Sequence, residues 1–213
     1  MAPPQSDPGE GPTPGGAPGG AWGAKTALRD QLLTVRRRRS LLERSEVARE
    51  IALRLTAAPE VRRAAMVAAY VAVGAEPGTA PLLHALLAAG KRVVLPVLLP
   101  DGDLDWAAYA GDQGLVPAPR GLLEPVGARL GVDAVATADV VLVPGLAVSS
   151  AGARLGRGGG SYDRALGRVP VGTFTCVLLH DDEVGIDVPV EPHDRPVGAA
   201  AHPSGISRFA ATF

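Results

Sequence analysis

The chain has 213 residues, of which 46% are hydrophobic and 20% charged, and its formal net charge at pH 7 is −1. This length is enough for one good-sized domain, and this composition suits a globular core. The near-zero charge gives no overall attraction to nucleic acid or anionic lipid, and the sequence lacks an uncharged apolar run of about 18 residues. We therefore expect no nucleic-acid partner and no membrane span. We also expect a monomer, although neither charge nor hydropathy bears on this.

The N-terminal segment is dominated by proline and glycine. It has neither the basic start nor the apolar stretch of a secretory signal. A segment of this composition cannot bury enough surface to offset the entropy lost on ordering. We predict a disordered tail over residues 1–22 and a single α/β domain over residues 23–213.

Two amphipathic helices are predicted next. Apolar residues at i, i+4 and i+7 predict the first over residues 25–39, where Lys25 and Arg29 share a second face. The arginines at positions 36–39 point around this helix, and we interpret them as a solvated helix end rather than an RNA-binding surface. The second helix ends at Pro59.

The following segment predicts a β-α-β unit. Residues 64–73 and 91–99 are apolar runs typical of buried strands, and residues 78–90 between them have helical character with Thr79 as the N-cap. Two strands joined by a helix form a parallel pair with a right-handed crossover.

Further strands complete the predicted sheet. Residues 103–110 alternate weakly and are typical of an edge strand, whereas residues 139–148 and 171–179 are typical of buried strands, and residues 161–167 predict a short helix. Cys176 lies in the last apolar run and is predicted to be a core residue. A lone cysteine cannot form an intrachain disulfide, which fits a cytoplasmic protein.

These elements predict an α/β fold with a mainly parallel sheet covered by helices on both faces. Ligands in such sheets gather at the carboxyl ends of the strands. Loops 73–79, 144–163 and 180–195 should therefore meet at one site.

The segment RLGRGGGSYDR, residues 154–164, is the strongest functional signal. Glycines allow backbone amides to converge on an anion, a helix start adds a positive dipole end, and Arg154 and Arg157 add forked donors for phosphate. The alternative is a flexible loop with two solvated arginines. Neither the P-loop pattern nor a full dinucleotide fingerprint is present.

Acidic residues near this segment could hold a cation. Asp163 follows the glycines and could bind Mg²⁺ against phosphate, or it could be an ordinary acid at a helix start. Glu191 and Asp194 are both candidates for a second ligand, and spacing alone does not decide between them. Glu76 follows the first strand, as a site residue or as an exposed loop acid. The four histidines lack metal-binding spacing, so we predict no zinc site.

Several separated segments match a known family in order and approximate spacing. They are Lys25-x-x-x-Arg29, YVAVGAEPGT with Glu76, GKRVVLPV, GLLEP, VPGLAV followed by RLGRGGGSYDR, and PVEPHD. Together they resemble the 5-formyltetrahydrofolate cyclo-ligase family, over residues 24–200. The resemblance implies a NagB/RpiA/CoA-transferase-like fold and an ATP-dependent conversion of 5-formyltetrahydrofolate to 5,10-methenyltetrahydrofolate, with ADP and phosphate as products.

The resemblance also implies a role for each matching residue. Arg154 and Tyr162 would act in catalysis, Asp163 and Asp194 would bind Mg²⁺, and Val71, Glu76 and Trp106 would contact the folate. The ATP phosphates would be bound by Lys25, Arg29, Arg154, Leu155, Gly156, Arg157, Gly158, Gly159, Gly160, Ser161 and Tyr162. Two alternatives remain open, a non-catalytic folate- or nucleotide-binding protein and a sugar-phosphate enzyme on the same fold.

Overall fold

The computed structural model describes residues 21–210, and the predicted tail lies outside this range except for its last two residues, which already belong to a helix. Helices α1 to α5 span Ala21–Arg37, Leu41–Ala57, Pro59–Arg63, Ala80–Ala88 and Ser161–Leu166. Strands β1 to β6 span Met66–Ala68, Arg92–Leu98, Leu104–Ala108, Leu115–Ala118, Leu122–Pro125 and Val140–Pro144. Strands β7 to β11 span Ala147–Val148, Arg154–Leu155, Phe174–Leu178, Ala199–His202 and Gly205–Arg208.

Seven strands form one sheet in the order β11-β10-β9-β6-β1-β2-β3. The five inner strands pair in parallel, and β3 and β11 close the two edges as antiparallel strands. The predicted α/β class with a mainly parallel sheet is therefore confirmed, as is the edge position of the strand predicted over residues 103–110.

The predicted β-α-β unit is present as β1-α4-β2, but β1 is much shorter than predicted. Its three residues pair with both β2 and β6. The Ala69 amide still donates to the Val94 carbonyl of β2 at 2.9 Å, and the rest of the apolar run, residues 70–73, then leaves the sheet and becomes a loop above its carboxyl edge. Thr79 precedes α4, yet its hydroxyl accepts a hydrogen bond from the Ala72 amide at 2.9 Å rather than capping the helix. This bond ties the loop to the start of α4.

Helices cover both faces of the sheet, as predicted. Apolar side chains of α2 and α4, such as Ile51 and Leu83, bury one face. Residues of α5 and of the 3₁₀ segment Val132–Thr137 bury the other. A third, small cluster joins Leu32 of α1 to Leu146 and Leu155, so that α1 is anchored beside the loop that follows β6.

The position of Arg36 differs from the prediction that the arginines at positions 36–39 form a solvated helix end. Its side chain is fully buried at the end of α1. The guanidinium donates to both carboxylate oxygens of Glu183, at 2.6 and 2.7 Å, and to the Gly145 carbonyl at 2.7 Å. Helical periodicity could not predict this burial, because the partners lie more than 100 residues further along the chain.

The remaining strands form two small antiparallel pairs, β4–β5 and β7–β8. The β4–β5 hairpin lies against β2, where the Leu98 amide donates to Glu124 at 2.9 Å. Within residues 21–210, no helix has the length and apolar character needed to cross a membrane.

Candidate active site

A cavity of about 330 Å³ opens at the carboxyl ends of β1, β2 and β6. This is the edge at which the strand-end rule placed the site. The loop after β1 contributes one wall, the glycine segment a second and the β4–β5 hairpin a third. The lining residues are Tyr70, Val71, Val73, Glu76, Pro96, Leu98, Leu104, Arg120, Leu122, Leu123, Glu124, Pro144, Gly145, Arg154, Gly156, Arg157, Gly158, Gly159, Gly160, Ser161, Tyr162 and Asp163.

The glycine segment is a shaped loop between β8 and α5. Gly158 and Gly160 have φ angles of 96° and 67°, a region that glycine enters without strain. A Cβ atom on Gly156 would lie 2.7 Å from Nη1 of Arg154. The loop therefore requires glycine for its path and for the close approach of this arginine.

Arg154 is buried beneath this loop, with 6% of the residue exposed. It donates to the Pro144 carbonyl at 3.2 Å and to Oδ1 of Asp163 at 2.9 Å. A buried guanidinium held by an acid and a carbonyl has a fixed direction. The charge of Arg154 is therefore positioned at the cavity rather than left to solvent.

The structure brings α1 to the same loop. Arg29 donates from Nε to the Gly156 carbonyl at 2.9 Å, and its guanidinium lies beside Gly158. Lys25, one turn earlier, is buried between Glu191 and Asp194, with Nζ–O distances of 2.5 and 2.6 Å. Burial lowers the pKa of Lys25, but the hydrogen bonds and charges of its two acidic partners outweigh this effect and raise the pKa overall.

Two of the acidic candidates lie close together, and the third contacts the same segment. Oδ1 of Asp163 accepts the amide of Arg195, the residue after Asp194, at 3.2 Å. Ligand atoms of Glu191, His193 and Asp194 lie within 4.8 Å of one another. The structure thus brings together Glu191 and Asp194, the two candidates for the second metal ligand.

The opposite wall carries Glu76, which is buried rather than an exposed loop acid. Its Oε2 accepts the Val73 amide at 2.8 Å, and its Oε1 lies 3.1 Å from Nε of Arg157. Burial raises the pKa of Glu76, against the lowering effects of the Val73 amide and Arg157. A ligand that donates hydrogen bonds to Glu76 would therefore compensate for the burial of its charge.

Tyr162 joins the two walls. Its ring meets that of Tyr70 edge to face, with 6.5 Å between centroids. Burial raises the pKa of the Tyr162 hydroxyl far above its ordinary value, with Glu76 adding to the shift, so the phenol is neutral at physiological pH. A neutral phenol can donate a hydrogen bond to a ligand in the cavity.

Two predicted site residues face elsewhere. Trp106 is fully buried in the core beneath the cavity, and the prediction that it lines the substrate site is wrong. Leu104, two residues nearer to the carboxyl edge, lines the cavity instead. The Leu155 side chain packs with Leu32 and Leu146 in the core and is not among the residues that line the cavity, so a contact with phosphate would have to come from its backbone.

Sequence reasoning missed the contribution of the β4–β5 hairpin. Arg120, Leu122 and Glu124 line the cavity, yet the segment GLLEP carried no predicted role. The dipeptide Arg120-Gly121 after a proline was a turn signal that could have identified the hairpin. Its placement over the cavity depends on contacts with β2 that the sequence does not reveal.

Comparison with known proteins adds an independent line of evidence. The model of the 5-formyltetrahydrofolate cyclo-ligase family matches residues 21–203. A 5-formyltetrahydrofolate cyclo-ligase of Escherichia coli K12 is 35% identical over 180 residues, covering 80% of this chain and 96% of the relative. One from Mycolicibacterium smegmatis is 45% identical over 133 residues, covering 60% of this chain and 68% of the relative.

Solved structures agree with this similarity. The 5,10-methenyltetrahydrofolate synthetase of Aquifex aeolicus superposes with a TM-score of 0.76 at 27% identity, covering 89% of this chain and 94% of the other. The synthetase of Mycoplasma pneumoniae superposes with a TM-score of 0.68 at 20% identity, covering 84% and 98%. At that lower identity, the likeness supports the fold alone.

Proposed function

The chain belongs to the 5-formyltetrahydrofolate cyclo-ligase family, and from this premise we propose how its cavity binds ATP and folate and closes the folate ring. The reaction converts 5-formyltetrahydrofolate and ATP to 5,10-methenyltetrahydrofolate, ADP and phosphate. The observation that carries the proposal is that the glycine segment, Arg154 and Glu76 line one cavity. The groups proposed to bind phosphate and the group proposed to bind the pterin thus line the same cavity.

The chemistry explains why a phosphate loop and a folate wall must meet. The formyl oxygen is a poor leaving group until it accepts the γ-phosphoryl group of ATP. N10 of the folate then attacks the formyl carbon, the C–O bond breaks, phosphate leaves with the former formyl oxygen, and N10 loses its proton. Phosphoryl transfer of this kind depends mainly on alignment and charge neutralisation.

The nucleotide side consists of the glycine segment and the cations around it. Backbone amides from Gly156 to Tyr162 bind the phosphates, and Lys25 and Arg29 on α1 neutralise their charge. Arg154, fixed by Asp163, stabilises the charge that develops on the transferred group. In support, Arg29 and Arg154 contact the loop over residues 154–163, and Lys25 contacts Asp194, whose neighbour Arg195 donates its amide to Asp163.

The folate side consists of Val71, Glu76 and Tyr162. Glu76 accepts hydrogen bonds from the amino group and ring N–H of the pterin, which compensate for the burial of its charge. The Tyr162 hydroxyl donates to the formyl or transferred phosphoryl oxygen. The support is the cavity-facing position of these three residues.

Asp163 and Asp194 are proposed as Mg²⁺ ligands. Each uses only one carboxylate oxygen in hydrogen bonds among the described residues, which leaves the second oxygen as the metal ligand; in Asp194 this oxygen lies 3.9 Å from Nε2 of His193. Two carboxylates supplemented by phosphate oxygens suit the chemistry of Mg²⁺, which would neutralise phosphate charge when bound. We also propose that the protein is a cytoplasmic monomer.

The decisive assay mixes purified protein, 5-formyltetrahydrofolate and Mg-ATP and follows the near-ultraviolet absorbance of the methenyl product. We expect product only with ATP, and Asp163→Asn should lose most of the rate and its magnesium dependence while remaining folded. Asp133→Asn, at an acid whose side chain is 86% exposed, is the matched control. A wild-type protein that binds folate and ATP without turnover would instead support a non-catalytic binding protein.

A further inference from the structure

The turn between β4 and β5 contains an unusual arginine. Arg120 has φ 64° and ψ 20°, and it is the one non-glycine residue with a left-handed backbone within residues 21–210. This conformation is unfavourable for a residue with a Cβ atom, and glycine would adopt it without strain. The next residue, Gly121, has φ 72°, and left-handed residues of this kind are typical of the tight turn of a β-hairpin, so the turn fixes the position of Arg120.

The Arg120 side chain lines the cavity and is exposed. The other two arginines that line it are held by acids, Arg154 by Asp163 and Arg157 by Glu76. Arg120, in contrast, has no hydrogen bond or ion pair with any residue in the described part of the chain. Its five N–H donors are therefore available to a ligand.

The position of the hairpin separates Arg120 from the phosphate loop. The hairpin lies against β2, whereas the glycine segment contacts the end of β6 through the bond from Arg154 to the Pro144 carbonyl, and β1 lies between these strands. Two inter-strand spacings of about 4.8 Å place β2 about 10 Å from β6. Apolar side chains of Pro96, Leu98, Leu104 and Leu122 line the cavity on the hairpin side.

We propose that Arg120 binds a carboxylate of the glutamate tail of the folate, an assignment that rests on the proposed function. The substrate carries its glutamate beyond the pterin and an aminobenzoyl ring. With the pterin at Glu76 near the phosphate loop, the aminobenzoyl ring lies along the apolar wall and the glutamate reaches the hairpin. The planar guanidinium fork matches a carboxylate.

Glu124 explains why this end of the cavity needs an arginine. Its carboxylate also lines the cavity and would repel an anionic tail. The Leu98 amide donates to Oε1 of Glu124 at 2.9 Å and offsets part of that charge. Arg120 supplies the positive charge that makes this end attractive to a carboxylate.

The test compares two substrates on matched variants. Arg120→Gly removes the side chain and suits the φ angle, so this variant should be at least as heat-stable as the wild type. We expect its KM for 5-formyltetrahydrofolate to rise about tenfold with kcat and the ATP KM unchanged. For the amide of 5-formyltetrahydropteroate, which has neither the glutamate nor any other carboxylate, the KM should be equal in the two proteins.

Two further variants sharpen the result. Arg129→Gly removes the same charge from an exposed arginine outside the cavity, and its KM should match that of the wild type. Arg120→Lys keeps the charge without the fork, and its KM should lie between the two. Equal losses on both substrates, or no loss in Arg120→Gly, would overturn the carboxylate subsite while leaving the proposed function intact.

Failure of the proposed function would look different. If the wild type shows no turnover, equilibrium binding of the same two folates to the wild type and Arg120→Gly decides the matter. Tighter binding of the glutamate-bearing compound by the wild type alone supports the subsite. Absence of folate binding by the wild type overturns the proposed function and the subsite together.

Discussion

Glu76 shows how the site favours binding over stability at the level of a single residue. Its carboxylate is buried where water cannot solvate the charge, and the Val73 amide and Arg157 compensate only in part. The net result is a raised pKa. The folded protein therefore holds a proton on this group more tightly than the unfolded chain does.

Glu76→Gln should raise stability and weaken folate binding. Because the folded pKa is raised, the stability of the wild type falls as pH rises through it, whereas glutamine does not titrate. Thermal unfolding should show the variant as more stable at neutral pH, with the gain shrinking on acidification. The folate KM should rise tenfold or more, since glutamine cannot accept the charge-assisted bonds of a carboxylate.

The ATP KM is the internal control for Glu76→Gln, and it should stay near the wild-type value. A variant with unchanged folate KM would contradict the placement of the pterin at this residue.

Gly156→Ala should reduce the rate without unfolding the protein. The added methyl group would lie 2.7 Å from Nη1 of Arg154, which is buried and cannot move freely. Displacing this guanidinium breaks its pairing with Asp163, and we expect kcat to fall about 100-fold. Gly114→Ala, whose methyl group has no neighbour closer than 4.0 Å, should keep full activity. Equal rates for the two variants would argue against a role for Arg154 in catalysis.

At the scale of elements, α1 is held at both ends of its site-facing stretch. Arg36 fixes one end to Glu183 and to the Gly145 carbonyl, which belongs to the loop that follows β6. Lys25 and Arg29, two to three turns earlier, reach the opposite acids and the glycine segment. The buried pair therefore sets the position of the helix that carries the phosphate-binding cations.

Arg36→Met should destabilise the protein by about 3–5 kcal/mol, because it leaves Glu183 buried without its partner. Replacing both partners, as in Arg36→Met with Glu183→Leu, should recover much of this loss. Urea unfolding measures both, and Arg54→Ala in the exposed Glu50–Arg54 pair should leave the unfolding free energy nearly unchanged.

The ATP KM separates the two roles of Arg36. We expect it to rise in both Arg36 variants, because α1 is no longer fixed to the Gly145 carbonyl. A double variant with restored stability and a wild-type ATP KM would show that the pair contributes to stability alone.

Element types could be predicted from the sequence because apolar periodicity is a local signal. The buried strands and both long helices show it directly. The length of β1 could not be predicted, because residues 70–73 are as apolar as the strand but lie at the cavity and at the start of α4 instead of pairing with a neighbouring strand. The β4–β5 hairpin and buried Arg36 were missed for a related reason, since each depends on partners distant in sequence.

At the scale of the whole molecule, residues from the beginning and from the end of the domain meet beside the site. Lys25 meets Glu191 and Asp194 across 166 and 169 residues. Such contacts leave no periodic signal, so the predicted grouping of these residues came from family resemblance rather than from pattern. Sequence spacing could not decide whether Glu191 or Asp194 is the second metal ligand, because the two acids are close in sequence and the fold brings both of them to Lys25.

The contact between Lys25 and Asp194 predicts that Lys25 and Mg²⁺ compete for the Asp194 carboxylate. Without nucleotide, the Lys25 ammonium pairs with both acids and offsets part of their charge, and the hydrogen bond from Lys25 contributes to a lowered pKa of Asp194 against the effect of burial. Lys25→Met should lower the unfolding temperature without ligands, because two partly buried carboxylates then repel each other. Added Mg²⁺ should restore much of that loss in the variant and change the wild type less, because binding to the folded state stabilises it.

The ATP KM of Lys25→Met should rise at least tenfold, and Lys25→Arg should show smaller changes in both measurements. Equal stabilisation of the wild type and Lys25→Met by Mg²⁺ would contradict a metal site at Asp194.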